Sequence, residues 1–133
     1  MMRGSILVLA ALALSACGQQ GEGGAGDKKP GQAARSGATP PPAFAICSGC
    51  HTITPGRQGS GPSLAGVWGR KAGSLPGYPF SDALKASNIV WEAKSLDTWL
   101  AGPIQMVPGT TMVFGIPDPQ ARKAVVDYLR TLK

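Results

Sequence analysis

The chain has 133 residues, is 43% hydrophobic and carries a formal net charge of +6, with 19 glycines, 12 prolines, three cysteines and one histidine. That length holds one small domain plus extra chain. The positive surplus contains no lysine or arginine run interleaved with aromatics, which excludes nucleic acid as an expected partner.

At the N-terminus, Arg3 precedes the apolar run Ile6 to Leu14, which is too short to cross a bilayer and reads as an export signal. The run ends in Leu14-Ser15-Ala16-Cys17, a pattern that resembles a bacterial lipobox. Residues 1–16 are therefore expected to be a lipoprotein signal peptide, with Cys17 acylated after cleavage and anchoring the chain to the membrane. The competing readings are an ordinary signal peptide cut nearby and a thiol left over by the odd cysteine count. Residues 17–42 are rich in Gly, Gln, Ala, Ser and Pro and cannot bury enough apolar surface to fold, so they are expected to form a lipid-anchored flexible linker. Pro40, Pro41 and Pro42 stiffen its end and bar a helix from running back beyond Phe44. Residues 43–133 are left for one domain, whose apolar core alone is marginal at this size.

The domain opens with a short helix expected over Ala43 to His51, and this helix contains Cys47-Ser48-Gly49-Cys50-His51. Two thiols three positions apart, followed at once by an imidazole, are what covalent haem attachment requires: each thiol adds across one porphyrin vinyl group, and the histidine meets the iron. A redox dithiol would need a βαβ setting, and a structural zinc would need about four Cys or His ligands. His51 is the sole histidine and no further cysteine follows, so the zinc reading lacks its fourth ligand.

Next comes loop, punctuated by Pro55, Gly56, Gly59, Gly61 and Pro62, and then by Gly66, Gly69, Gly73, Pro76, Gly77 and Pro79. A helix is expected around Leu84, and another over Ser95 to Ala101, with Ser95 as cap and Leu96, Trp99 and Leu100 as an apolar stripe. Loop returns from Gly102 to Pro117. Asp118 and Pro119 then form an N-cap and first-turn pair for a closing helix whose apolar positions are Ala121, Val125, Tyr128, Leu129 and Leu132. No strand-like alternation occurs, so the expected class is all-α: short helices and glycine-rich loops around one flat cofactor. With no second histidine, a methionine thioether is the natural sixth ligand, and Met106 and Met112 both fall in the right region.

Taken together, CSGCH, GPSLAGVWGRKAG from Gly61 to Gly73, YPFSDALK from Tyr78 to Lys85, Trp91, and PGTTM from Pro108 to Met112 resemble class I c-type cytochromes, which are small single-haem electron carriers. The resemblance covers the whole domain. It implies a small cytochrome c fold and one covalent haem c on Cys47 and Cys50, with His51 as proximal and Met112 as distal iron ligand. It further implies that Pro62 accepts the Nδ1 proton of His51, and that Arg70, Trp91 and Thr110 contact the haem propionates. Three features depart from the family pattern. Phe80, beside Tyr78, stands where a tyrosine often bonds a propionate. Trp99 stands where a tyrosine contacts the methionine sulfur. Ile104, Gln105 and Thr111 replace lysines of the partner-docking ring of mitochondrial relatives.

With both axial positions filled, the iron has no open site for substrate. The expected function is one-electron transfer in a bacterial periplasmic or membrane-associated transport chain, with no enzymatic activity and no small-molecule substrate. The expected partners are respiratory reductases, oxidases or dehydrogenases, an acidic one being steered by a basic rim. The alternative is a haem-based gas sensor or small peroxidase with a labile sixth ligand, although composition excludes a distal histidine.

Overall fold

A computed structural model of the chain describes residues 38–133. The expected signal peptide, Cys17 and nearly all of the expected linker lie outside these residues. Among the described residues there are five α-helices: α1 (Ala45–Ser48), α2 (Asp82–Ala86), α3 (Ala93–Ala101), α4 (Pro103–Met106) and α5 (Pro119–Leu129), with a 3-10 turn at Pro42–Phe44 leading into α1. Strand-like pairing among them is confined to one antiparallel bridge, Lys71 with Val90. The all-α expectation therefore holds.

The local details differ from the sequence reading in three places. First, the expected helix over Ala43 to His51 is split and shortened. Pro42 starts the 3-10 turn, where its missing N–H costs nothing because a first-turn N–H has no acceptor within the helix, and α1 stops at Ser48. Cys50 and His51 lie beyond it, both donating backbone N–H to the Cys47 carbonyl at 3.1 and 2.9 Å. Second, Ser95 does not begin α3. Glu92 is the N-cap, and the Ser95 hydroxyl, three residues on, accepts the Glu92 N–H at 2.8 Å while the Glu92 side chain accepts from the Ser95 backbone. This is a reciprocal box with the usual residue types exchanged. Third, the loop from Gly102 to Pro117 contains α4, which Pro103 tolerates because it sits at the first helical position.

The closing helix forms as its sequence predicts. Asp118 caps it by accepting the Gln120 N–H at 3.0 Å, and Pro119 follows in the first turn. Val125, Val126, Tyr128 and Leu129 are buried against Leu96, Trp99 and Leu100 of α3 and against Phe44. The rings of Phe44 and Tyr128 meet edge to face at 4.8 Å between centroids, which pins the entry turn to α5. Ahead of the triple proline, Ala38 already packs on this core.

The Tyr128 hydroxyl is buried and finds no hydrogen-bond partner among the described residues. An unsatisfied buried hydroxyl costs about 1–3 kcal/mol, whereas the ring contact needs no oxygen. Tyr128→Phe is therefore expected to raise stability by about 1 kcal/mol, and urea unfolding of the haem-loaded protein will measure it. A loss of stability would show that the hydroxyl is bonded after all.

Candidate functional site

The helices leave a cleft of about 510 Å³, within the range of roughly 300–1,000 Å³ that typically holds a small organic cofactor. Cys47, Cys50, His51, Pro62, Arg70, Trp91, Thr110 and Met112, all named from the sequence, line this one cleft. Met106 does not. It packs against the core from α4, and this separates the two methionines that composition alone left equivalent.

His51 is oriented from two sides. Its Nδ1 lies 2.7 Å from the Pro62 carbonyl oxygen, and because a carbonyl can only accept, Nδ1 carries the proton and Nε2 keeps its lone pair. The ring also lies against Gly61, where a Cβ would come within 2.5 Å of the ring carbon Cε1. No side chain fits there. Cys47 and Cys50 are not joined to each other in a disulfide, the first being half-buried and the second exposed. Burial raises the Cys47 thiol above its ordinary pKa, the reverse of what a reactive dithiol uses.

Met112 sits on a loop held at both ends. The Thr110 N–H returns to the Val107 carbonyl at 3.1 Å, with Pro108 and Gly109 at the turn centre. The positive φ of Gly109, 90°, is what the third position of a type II turn requires. Beyond the methionine, the Ile116 N–H bonds the Leu100 carbonyl at 2.7 Å. Arg122 of α5 donates to the Ile116 and Pro117 carbonyls at 3.0 and 2.8 Å, and its Nε pairs with Asp97 of α3 at 2.9 Å. Sequence reasoning missed this clamp.

The Trp99 indole Nε1–H donates to the Met112 sulfur at 3.2 Å, and the indole itself packs at 5.2 Å on the buried ring of Trp91. A tyrosine hydroxyl is therefore replaced by an N–H donor and not merely lost. Arg70 gives Nη1 and Nη2 to the carbonyls of Ala65 and Ser63, both at 3.0 Å, so it also shapes the loop behind the cleft. Its half-burial lowers its pKa below the ordinary arginine value. The Tyr78 hydroxyl donates to the Ser60 carbonyl at 2.7 Å, and the ring stacks edge-on with Phe80. Of the residues lining the cleft, Arg70 and Lys71 carry charge, both positive, and Arg70 is engaged with backbone.

A family model described as "Cytochrome c" matches residues 43–133. Cytochrome c2 iso-2 of Magnetospirillum molischianum is 47% identical over 94 residues, covering 70% of this chain and 97% of the relative. Cytochrome c2 of Rhodopila globiformis is 48% identical over 89 residues, covering 66% and 84%. Among solved structures, cytochrome cH from Methylobacterium extorquens is 49% identical with a TM-score of 0.63, covering 67% of this chain and 91% of that one. With the Cys-x-x-Cys-His turn, the proline-bonded imidazole and the methionine loop facing one cleft, these matches show that the chain belongs to the cytochrome c family.

Proposed function

We propose that this chain is a one-electron carrier, not an enzyme, that holds one haem c covalently on Cys47 and Cys50, with His51 and Met112 as its axial ligands. The observation that carries the ligand assignment is the pair of fixed donors in one cleft: an imidazole whose free nitrogen is Nε2, and a thioether on a doubly tethered loop. When bound, the haem supplies an iron that moves between ferric and ferrous states, and a soft thioether ligand favours the ferrous one. Pro62 fixes the imidazole tautomer and strengthens the ligand. Arg70 keeps donors beyond the two used on backbone, since a guanidinium has five N–H groups. With the Trp91 indole and the Thr110 hydroxyl, it is suited to pair propionates that would be costly to bury alone.

The gas-sensor and peroxidase alternative is not favoured: the Met112 side of the cleft offers a thioether, an indole, the Thr110 and Thr111 hydroxyls and apolar chains, with no acid–base pair. We further propose export to the periplasm, acylation of Cys17 and an N-terminal linker that lets the domain reach redox proteins near the membrane; no helix among the described residues is long and apolar enough to cross one. The mass of the mature N-terminal peptide tests the acylation.

The test of the carrier reading is the visible spectrum of the reduced, export-matured protein with and without carbon monoxide. Sharp low-spin c-type bands indifferent to the gas are expected; a gas-shifted Soret band would replace the carrier reading with the sensor or peroxidase, and absent haem bands would return the cysteines to thiol chemistry.

The Trp99 N–H draws electron density from the sulfur and so favours ferrous iron. Trp99→Phe removes this bond and is expected to lower the potential by some tens of millivolts, since a net hydrogen bond is worth about 0.5–1.5 kcal/mol. Redox titration measures it, and an unchanged potential would show that the bond is equally strong in both states.

A further inference from the structure

We propose that the Trp99 indole shields the Met112 sulfur from oxidation, so that peroxide oxidises Met106 and spares the iron ligand. The proposal rests on the reading of Met112 as that ligand. Of the four methionines in the chain, Met1 and Met2 lie in the expected signal peptide, which leaves Met106 and Met112 in the domain. A thioether is oxidised when a sulfur lone pair attacks one oxygen of hydrogen peroxide: the S–O bond forms as the O–O bond breaks. The departing hydroxide takes the proton of the transferred OH and leaves as water, so sulfur loses the two electrons that the peroxide gains, and the product is a sulfoxide.

A thioether sulfur has two lone pairs, and the reaction needs one of them free. At Met112 the iron takes one on the ligand reading, and the Trp99 Nε1–H, donating at 3.2 Å, engages the other. No lone pair is then left to attack peroxide. The donor cannot swing aside, because Trp99 is buried on α3 and its ring packs at 5.2 Å on that of Trp91. Trp91 is itself held by backbone hydrogen bonds with Gly69 and Arg70, at 2.8 and 3.0 Å. Met106 differs on each count. It is half-buried on α4 outside the cleft, so its exposure does not depend on what fills the cleft. Among the described residues no donor reaches its sulfur, and both lone pairs are free. The two sites also differ in what oxidation does. A sulfoxide at Met112 removes the soft donor from the iron, whereas one at Met106 adds a polar atom at the edge of the core and leaves both axial ligands in place.

The experiment treats the ferric, haem-loaded protein with hydrogen peroxide and localises each added oxygen by tandem mass spectrometry, since Lys94 and Arg122 bracket one tryptic peptide that carries both methionines. In the wild type Met106 is expected to gain oxygen at least about tenfold faster than Met112. Trp99→Phe is expected to speed oxidation of Met112 by about tenfold while Met106 keeps its rate, the scale on which one hydrogen bond alters a rate. Trp99→Tyr, which offers a hydroxyl donor in place of the N–H, is expected to stay within about threefold of the wild type. An unchanged Met112 rate in Trp99→Phe would show that iron alone protects the sulfur and would overturn the proposal. A Trp99→Tyr variant as fast as Trp99→Phe would do the same, because the bulk of the indole and not its donor would then be at work. So would a Trp99→Phe variant whose reduced form binds carbon monoxide, because the indole would then hold the ligand on the iron and not cover it. The gas also separates the two readings: ready oxidation of Met112 in a wild type that binds carbon monoxide refutes the ligation itself, whereas the same oxidation in a gas-indifferent wild type refutes only the shield.

Discussion

A Met112→Ala variant will bind carbon monoxide in its reduced state and show a potential lower by something on the order of 0.2 V, a fraction of the roughly 0.8 V over which axial ligands set haem potentials. Met112 is the cleft-lining methionine, and its loop is tied by the Val107–Thr110 turn on one side and by Leu100 and Arg122 on the other. Truncation therefore removes a donor from a loop that keeps its path, and no other side chain of the loop carries a comparable soft ligand. Loss of the thioether removes its preference for ferrous iron, so the potential falls as the sixth position opens. Met106→Ala is the matched control. It removes a core-packing side chain from α4 and is expected to cost stability of about 2 kcal/mol with the spectrum unchanged. Should Met106→Ala open the site while Met112→Ala leaves it closed, the ligand assignment is wrong.

What the sequence made legible is what local chemistry decides. An Asp-Pro helix start carries its cause within a few residues and forms as read, whereas the helix expected over the Cys-x-x-Cys-His segment ends at Ser48 and the segment closes as a turn on the Cys47 carbonyl. The start of α3 was misplaced because Glu92 and Ser95 share one capping box and either pattern end invites the cap. The short α4 was missed because Pro103 and Gly102 look like loop punctuation, and only hydrogen bonds from Met106 and Val107 back to Gly102 and Pro103 make them a helix start. The Arg122 clamp joins residues 25 positions apart to a pair of carbonyls, and no periodicity encodes such a contact. Gly61 read as a loop breaker, although the structure gives it a more specific reason: the imidazole of His51 occupies the space a Cβ would need. The departure at Trp99 was visible in the sequence, but whether the indole reached the sulfur was a matter of distance.

Replacing both cysteines, Cys47→Ser with Cys50→Ser, is expected to yield a chain that holds no covalent haem and does not fold cooperatively. The reason lies in shared side chains. Leu96, Trp99, Leu100, Val125 and Leu129 are at once members of the hydrophobic core and walls of the cleft, so the core is completed only when the cleft is filled. An unfilled volume of about 510 Å³ scales to about 12 kcal/mol at roughly 24 cal/mol per Å³. That figure is an upper bound, since the cleft is open to water and its walls can close in. Even a third of it, about 4 kcal/mol, approaches the lower end of the roughly 5–15 kcal/mol that keeps a domain folded. The attachment turn itself adds little, because α1 is only four residues long and ends before Cys50. Covalent haem is measured by whether colour survives acid extraction, and folding by far-ultraviolet circular dichroism through a urea titration. A colourless double variant that still unfolds in one sharp transition would mean that the helices support one another without the cofactor, and that the two thiols serve electron transfer alone.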